Sequence, residues 1–201
     1  MKQKRLSAFL ITNQNNFAWF TGGGDNHVVK SADSGAASIL ATRTGKYIIT
    51  NNIEAPRVMD EEVRGKGFKL RKYWWWRDAD KAEIIRSLAG SGKAGSDDGF
   101  PGTVKMEADL APLRYPLTGA EIERYRWLGR AAGKVMGETG RGVRKGMSES
   151  DIAAEISRAF LPLGITPIVL LIAADERISL YRHPIAKDNK VKRTVILFTC
   201  A

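Results

Sequence analysis

AASILATRTGKYIIT, residues 36–50, is the stretch on which the reading of the N-terminal part turns. Two apolar runs, 36–42 and 46–50, flank Arg43-Thr44-Gly45. Short apolar runs on either side of a Gly-containing break predict a β-hairpin. Upstream, LSAFLIT at residues 6–12 reads as a buried strand and Asn13 to Asn16 as turn formers. FAWF at 17–20 reads as a further strand-like run, ended by Thr21-Gly22-Gly23-Gly24. Downstream, Asn52 is the expected cap of a helix reaching about Val63, with Pro56 in its early part. A short polar side chain and an early proline both suit a helix N-terminus. Residues 68–75 predict a strand, and Asp78 or Asp80 caps a helix over 81–89 that Gly90 closes. Strands alternating with helices define an α/β domain. Residues 90–117 are rich in Gly, Asp and Pro and read as a linker. The expected division is an N-terminal domain over 1–112 and a second part over 113–201.

The second part opens on Thr118-Gly119-Ala120-Glu121, which fits a capping box. Ile122, Tyr125, Leu128, Ala132, Val135 and Met136 then recur at helical spacing until Gly140 and Gly142. Ser148-Glu149-Ser150-Asp151 starts a second helix in the same way, with Ile152, Ile156, Phe160 and Leu163 as its apolar face and Gly164 as its end. Two continuous apolar runs, 167–174 and 194–200, predict strands buried on both faces.

The chain has 201 residues, 43% of them hydrophobic and 27% charged, enough apolar material for a core. The net charge of +10 raises polyanionic partners. The basic excess is shared evenly between the two halves of the sequence, however, which makes a nucleic-acid partner unlikely. A lone cysteine, Cys200, excludes an intrachain disulfide and suits a reducing, cytoplasmic location. The apolar run after the basic N-terminus is too short for a signal sequence or a membrane span. Gly22-Gly23-Gly24-Asp25 lacks the spacing of a phosphate loop. Glu61-Glu62 and Asp97-Asp98 are adjacent in sequence and therefore poor acid/base partners. His27 carries no pattern that assigns it a task.

Several stretches together resemble the creatinase/aminopeptidase P/prolidase family of metallopeptidases. Asn16-Phe17-Ala18-Trp19-Phe20-Thr21-Gly22 is similar to that family's N-terminal Asn-x-x-Tyr-Leu-Thr-Gly segment, and KYIITNNIE at 46–54 to the strand and helix start after it. Residues 117–132, with Glu121, Ile122 and Arg126, resemble the first catalytic-domain helix, and Gly146 to Ala153 the second. Arg182-His183-Pro184 and residues 192–201 resemble the His-Pro segment and the strand after it. The resemblance implies a creatinase-like α/β domain followed by a pita-bread α+β domain, here incomplete. It implies cleavage of bonds before proline in a peptide substrate, with two divalent metals such as Mn²⁺ held by two Asp, one His and two Glu. The metals would activate a water and polarise the scissile carbonyl.

The family's first metal Asp belongs to a strand of the form Val-Leu-Val-Asp-x-Gly-Ala. Here that strand reads Val195-Ile196-Leu197-Phe198-Thr199-Cys200-Ala201, with Phe198 in the place of the Asp and no Asp from 189 to 201. A phenyl ring cannot ligate a hard cation. The other ligands would come after residue 201, so no metal ligand is assigned and no cofactor is expected in this chain. His183 is the one residue to which the resemblance gives a role, at a substrate or proton-transfer position. The expectation is a truncated or non-catalytic relative of Xaa-Pro aminopeptidases and prolidases, whose final apolar strands would seek a partner chain. The alternative is a binding or dimerisation module acting through the N-terminal domain. Trp19, Trp74, Trp75 and Trp76 are its candidate interface residues, because tryptophan marks protein interfaces and family members commonly dimerise through this domain. Basic residues before the tryptophan run also fit single-stranded nucleic acid, but a twisted strand with charges on a solvated edge is the favoured explanation.

Overall fold

The computed structural model describes residues 1–201, which divide into two compact units, Met1–Pro116 and Leu117–Ala201. The first is built on β1 (Ala8–Asn13), β2 (Ser34–Thr42) and β3 (Lys46–Asn51). The hairpin between β2 and β3 forms as its sequence requires. Thr42 Oγ1 accepts from Gly45 N at 3.1 Å while Thr42 N donates to Gly45 O at 2.8 Å. β4 (Lys69–Tyr73) lies parallel to β3, and β5 (Ala94–Ser96) parallel to β1, with β6 (Val104–Lys105) beyond it. The sheet order is β4-β3-β2-β1-β5-β6, and the sheet is mixed.

Both faces of β1–β3 are covered, which is why these strands read as continuous apolar runs. On one face Leu10, Leu40, Tyr47 and Ile49 pack with Ile85 and Ala89 of a helix, Ala79–Ala89. On the other, Ile11, Ile39 and Ile48 pack with Phe17, Val58 and Val63. The α/β class expected from the sequence is the class observed.

Four local readings are corrected. FAWF is not a strand: α1 spans Gln14–Thr21 and buries Phe17, while Phe20 faces solvent. A four-residue apolar run fits either period. Gly22 closes α1 at φ 73°, with Gly23 N bonded to Ala18 O at 2.7 Å. Second, Asn52 is not a helix cap. Asn51 Oδ1 takes Ile53 N and Glu54 N, both at 3.0 Å, ahead of α2 (Ala55–Arg57), which passes into a π-helical turn at Val58–Glu62. Asn52 Oδ1 instead takes Trp75 N at 2.9 Å. Third, β4 stops at Tyr73, so the three tryptophans lie in the turn before α3 (Ala79–Ala89), not in the strand. Fourth, residues 90–117 are no linker. They supply β5 and β6, which extend the sheet beyond β1, and α4 (Glu107–Arg114), inside which residue 112 falls.

The second unit begins with α5 (Gly119–Gly142), whose capping box is formed: Thr118 N donates to Glu121 Oε2 at 2.7 Å, and Glu121 N to Thr118 Oγ1 at 3.3 Å. α6 (Glu149–Phe160) repeats the device with Ser148 and Asp151. β7 (Val169–Ala174), α7 (Arg177–Leu180) and β8 (Val195–Cys200) come next, and β7 and β8 form a two-stranded antiparallel sheet. Its core is Val135, Ile152, Ile156, Phe160, Ile172 and Val191. Ile122, Tyr125 and Leu163, expected on the apolar helix faces, are exposed. Burial of both strands on both faces is also corrected. β8 alternates half-buried and exposed residues: Val195 and Leu197 point to the helices, Ile196 and Phe198 away from them. No helix is long and apolar enough to cross a membrane.

Candidate functional site

His183 lies in the exposed stretch between α7 and a short bridge to β7. Ile172 N donates to Pro184 O at 3.1 Å, and Ile185 is bridged to Leu171. This stretch is held in place by Glu149, the first residue of α6, which is fully buried. Its carboxylate accepts from Ala174 N at 2.8 Å, Lys187 N at 2.9 Å, Asn189 Nδ2 at 3.5 Å and the Arg177 guanidinium. Arg177 also donates to Ile185 O at 3.2 Å. Burial pushes the Glu149 carboxyl upward, but the donors from Ala174, Arg177, Lys187 and Asn189 outweigh it and hold the group below its ordinary range. One buried charge thus ties α6, the end of β7, α7 and the segment after His183 together.

Asp175 does similar work just past the same end of β7. It adopts φ 52°, and its carboxylate accepts from Lys192 N, Arg193 N and Thr194 N at 2.8, 2.8 and 3.1 Å. The bonds from Thr194 and Lys192 lead in lowering its pKa, with those from Arg193 and the Arg193 charge adding to them. The turn entering β8 is therefore fixed.

Phe198 sits on the open face of the β7–β8 sheet, opposite Leu171 and 50% exposed. Val169, Ile185 and Ile196 are exposed there too. No carboxylate or imidazole stands among these side chains. No group of three or more His, Cys, Asp or Glu anywhere in the chain is placed to share an ion. This apolar donor set does not fit the hard divalent metals that the resemblance implies.

In the first unit, Trp74, Trp75 and Trp76 are 50–60% exposed. Trp74 and Trp76 stack at 5.0 Å, with Trp75 edge-on to Trp76 at 5.7 Å. Trp19 is not with them: it is half-buried and packs edge-on to Phe20, which meets Phe68. Beside the tryptophans, a cleft of about 340 Å³ between β4 and α3 is lined by Arg71, Lys72, Arg77, Asp80 and Glu83 over Ile84 and Leu88. Burial, reinforced by the Asp78 carboxylate, raises the Tyr73 phenol at its edge to about 12. His27 makes a short contact to Asp25 and belongs to neither site.

Sequence reasoning missed three carboxylates that organise these regions. Besides Glu149 and Asp175, Asp97 is buried and accepts from Thr12 N, Thr12 Oγ1, Asn13 N and Asn16 Nδ2 at 2.8–3.1 Å. It ties the end of β1 to Asn16 of α1 from far along the chain. The only signal was an acidic residue ahead of turn formers.

The first unit is a mixed sheet with helices on both faces, and the second is a pair of capped helices over a two-stranded sheet. The profile of the Creatinase/Prolidase N-terminal domain matches residues 1–117, and the chain belongs to that family. Similar solved structures include the prolidase from Pyrococcus horikoshii OT3 (TM-score 0.73, 17% identity, covering 99% of this chain and 57% of that one). The prolidase from Pyrococcus furiosus is similar at TM-score 0.72 and 18% identity, over 99% of this chain and 58% of that one. An Xaa-Pro dipeptidase from Bacillus anthracis is similar at TM-score 0.70 and 15% identity, over 96% of this chain and 55% of that one. At such identities the likeness is one of fold, and the chain spans little more than half the length of these relatives. No curated protein sequence matches it.

Proposed function

We propose that the chain is a prolidase-like protein whose second unit does not build a working metal site, so that the chain does not itself hydrolyse Xaa-Pro bonds. Phe198 carries this reading. It presents a half-exposed phenyl ring on an apolar face, at the position where the resemblance calls for the first metal-ligating Asp. Without that carboxylate, one of the five ligands that the resemblance implies for the metal pair would be missing. The resemblance gives His183 a substrate-side position, and the segment after it is fixed through Glu149 and Arg177. The test is hydrolysis of Xaa-Pro dipeptides by the purified 201-residue chain with Mn²⁺, with and without chelator. The expected result is no chelator-sensitive turnover, and robust turnover would overturn the reading.

A second reading rests on the exposed tryptophans. Large aromatics surrounded by charges of both signs suit a self-complementary protein contact. In this reading the first unit is an assembly module that pairs two copies through Trp74–Trp76. Sedimentation of the chain and of Trp75→Ala tests it: a concentration-dependent dimer that the substitution weakens is expected, and a strict monomer in both would rule it out.

A further inference from the structure

Two basic runs far apart in the sequence meet in the second unit. The last turn of α5 carries Arg141, the turn after it Arg144 and Lys145, and the turn before β8 carries Lys192 and Arg193; all five side chains are exposed. A short antiparallel ladder joins the turns. Gly146 N donates to Val191 O and Val191 N to Met147 O, both at 2.9 Å, and Glu149 N donates to Asn189 O at 3.0 Å. Ser148 is bridged to Lys190. The corner at Arg144 and Lys145 is thereby held beside Lys192 and Arg193.

Like charges placed side by side across a ladder destabilise a fold. Neighbouring acids usually relieve this, but here they are engaged elsewhere. Both Asp175 oxygens take backbone N–H groups of the basic turn, leaving little for its side chains, although Asp175 does feel the Arg193 charge. Asp151 and Asp188 stand at 4.0 and 3.4 Å from Lys190. Arg144 is partly occupied as well, donating to the carbonyls of Arg141 and Val143 at the end of α5. Arg141, Lys145, Lys192 and Arg193 make no salt bridge.

We propose that this surface binds the phosphate backbone of a nucleic-acid duplex. The chemistry that would satisfy it is a row of anions, because Arg144, Lys145, Lys192 and Arg193 stand exposed on adjoining turns and make no salt bridge. Neither turn, over 141–151 or 187–194, has an aromatic side chain on which an unpaired base could stack, so a duplex is favoured over a single strand. The same two segments show no exposed large hydrophobic residue. A protein interface would use such a residue as an anchor, and a membrane surface would receive it. The even spread of charge along the sequence hid this site, because the ladder, not the sequence, gathers it.

The experiment is fluorescence anisotropy of the full chain with a short labelled DNA duplex and an RNA duplex of the same sequence. Binding to either is expected at low salt. With four phosphate contacts, affinity should fall about a hundredfold between roughly 50 and 200 mM salt. Lys192→Glu with Arg193→Glu should weaken binding by at least about tenfold and flatten the salt dependence by about two phosphate contacts. Arg141→Gln with Lys145→Gln, which leaves the β8 turn untouched, should weaken it in the same direction. Lys66→Glu with Lys69→Glu changes the net charge of the chain as much as the first pair and should leave affinity within about twofold. An equal loss in that control would reduce the binding to net charge and overturn the site. So would the absence of duplex binding at low salt, or equal capture by polyglutamate or by phosphatidylserine vesicles.

Discussion

Replacing Glu149 by Gln removes one charge and changes almost no volume. The native carboxylate is fully buried and takes donors from Ala174, Arg177, Lys187 and Asn189. A Gln offers one oxygen for these donors and turns an amide group of its own towards them. The Arg177 side chain, only 17% exposed, is left without its counter-charge. Breaking a buried pair by removing one partner costs about 3–5 kcal/mol. Arg177 can reach some solvent, so about 3 kcal/mol is expected for Glu149→Gln. That is about a hundredfold in the opening equilibrium. Peptide-resolved hydrogen exchange reads it directly: amides of α6, β7 and residues 183–190 should exchange about a hundredfold faster, while the first unit keeps its rates. Glu155→Gln, which breaks an exposed pair with Arg158, should cost less than about 1 kcal/mol. The pH dependence has a definite sign. The folded pKa of Glu149 is depressed, so its contribution is present above the unfolded value and is lost as pH falls through the folded one. Glu149→Gln should remove that part of the acid limb. A Gln variant that costs no more than Glu155→Gln, with unchanged exchange in residues 183–190, would refute the reasoning.

Asp175 obeys the same sign. Its lowered pKa places its contribution above the unfolded carboxylate range, so the turn entering β8 should loosen as pH falls, and Asp175→Asn should abolish that pH dependence in exchange measurements of residues 192–195. Asp97→Ala leaves buried backbone donors at Thr12 and Asn13 unpaired and should cost about 3 kcal/mol, measured as loss of protection in β1 and α1. Trp75→Ala should weaken self-association without lowering thermal stability, since the ring is exposed.

Much of the fold could be read from residues alone, because local chemistry fixed it. The hairpin at Thr42–Gly45 and the two capping boxes are sequence-local devices, and each formed as its residues require. Errors fell where a distant group decided the outcome. FAWF lies in a helix whose start is tied to groups outside the run: Gln14 N donates to Asp33 O and Asn16 Nδ2 to Asp97 Oδ2, both at 2.9 Å. The Gly- and Pro-rich stretch after Gly90 looked like linker because β5 and β6 are only three and two residues long. The final strands looked buried on both faces because Ile196 and Phe198 are apolar, although they point away from the helices. Period alone cannot tell an apolar open face from a buried one. The site regions were less legible still. Glu149 sits inside a visible capping motif, but its burial depends on Arg177 and Lys187, far along the chain.

On the proposed reading, the apolar β7–β8 face takes up none of the divalent metals that the resemblance implies. Titrating the chelator-stripped chain with Mn²⁺ and monitoring free Mn²⁺ by electron paramagnetic resonance tests it most directly. The signal should rise as it does in buffer, with no saturable uptake and no change on substituting Phe198→Leu. Stoichiometric, saturable loss of the free-Mn²⁺ signal would contradict it.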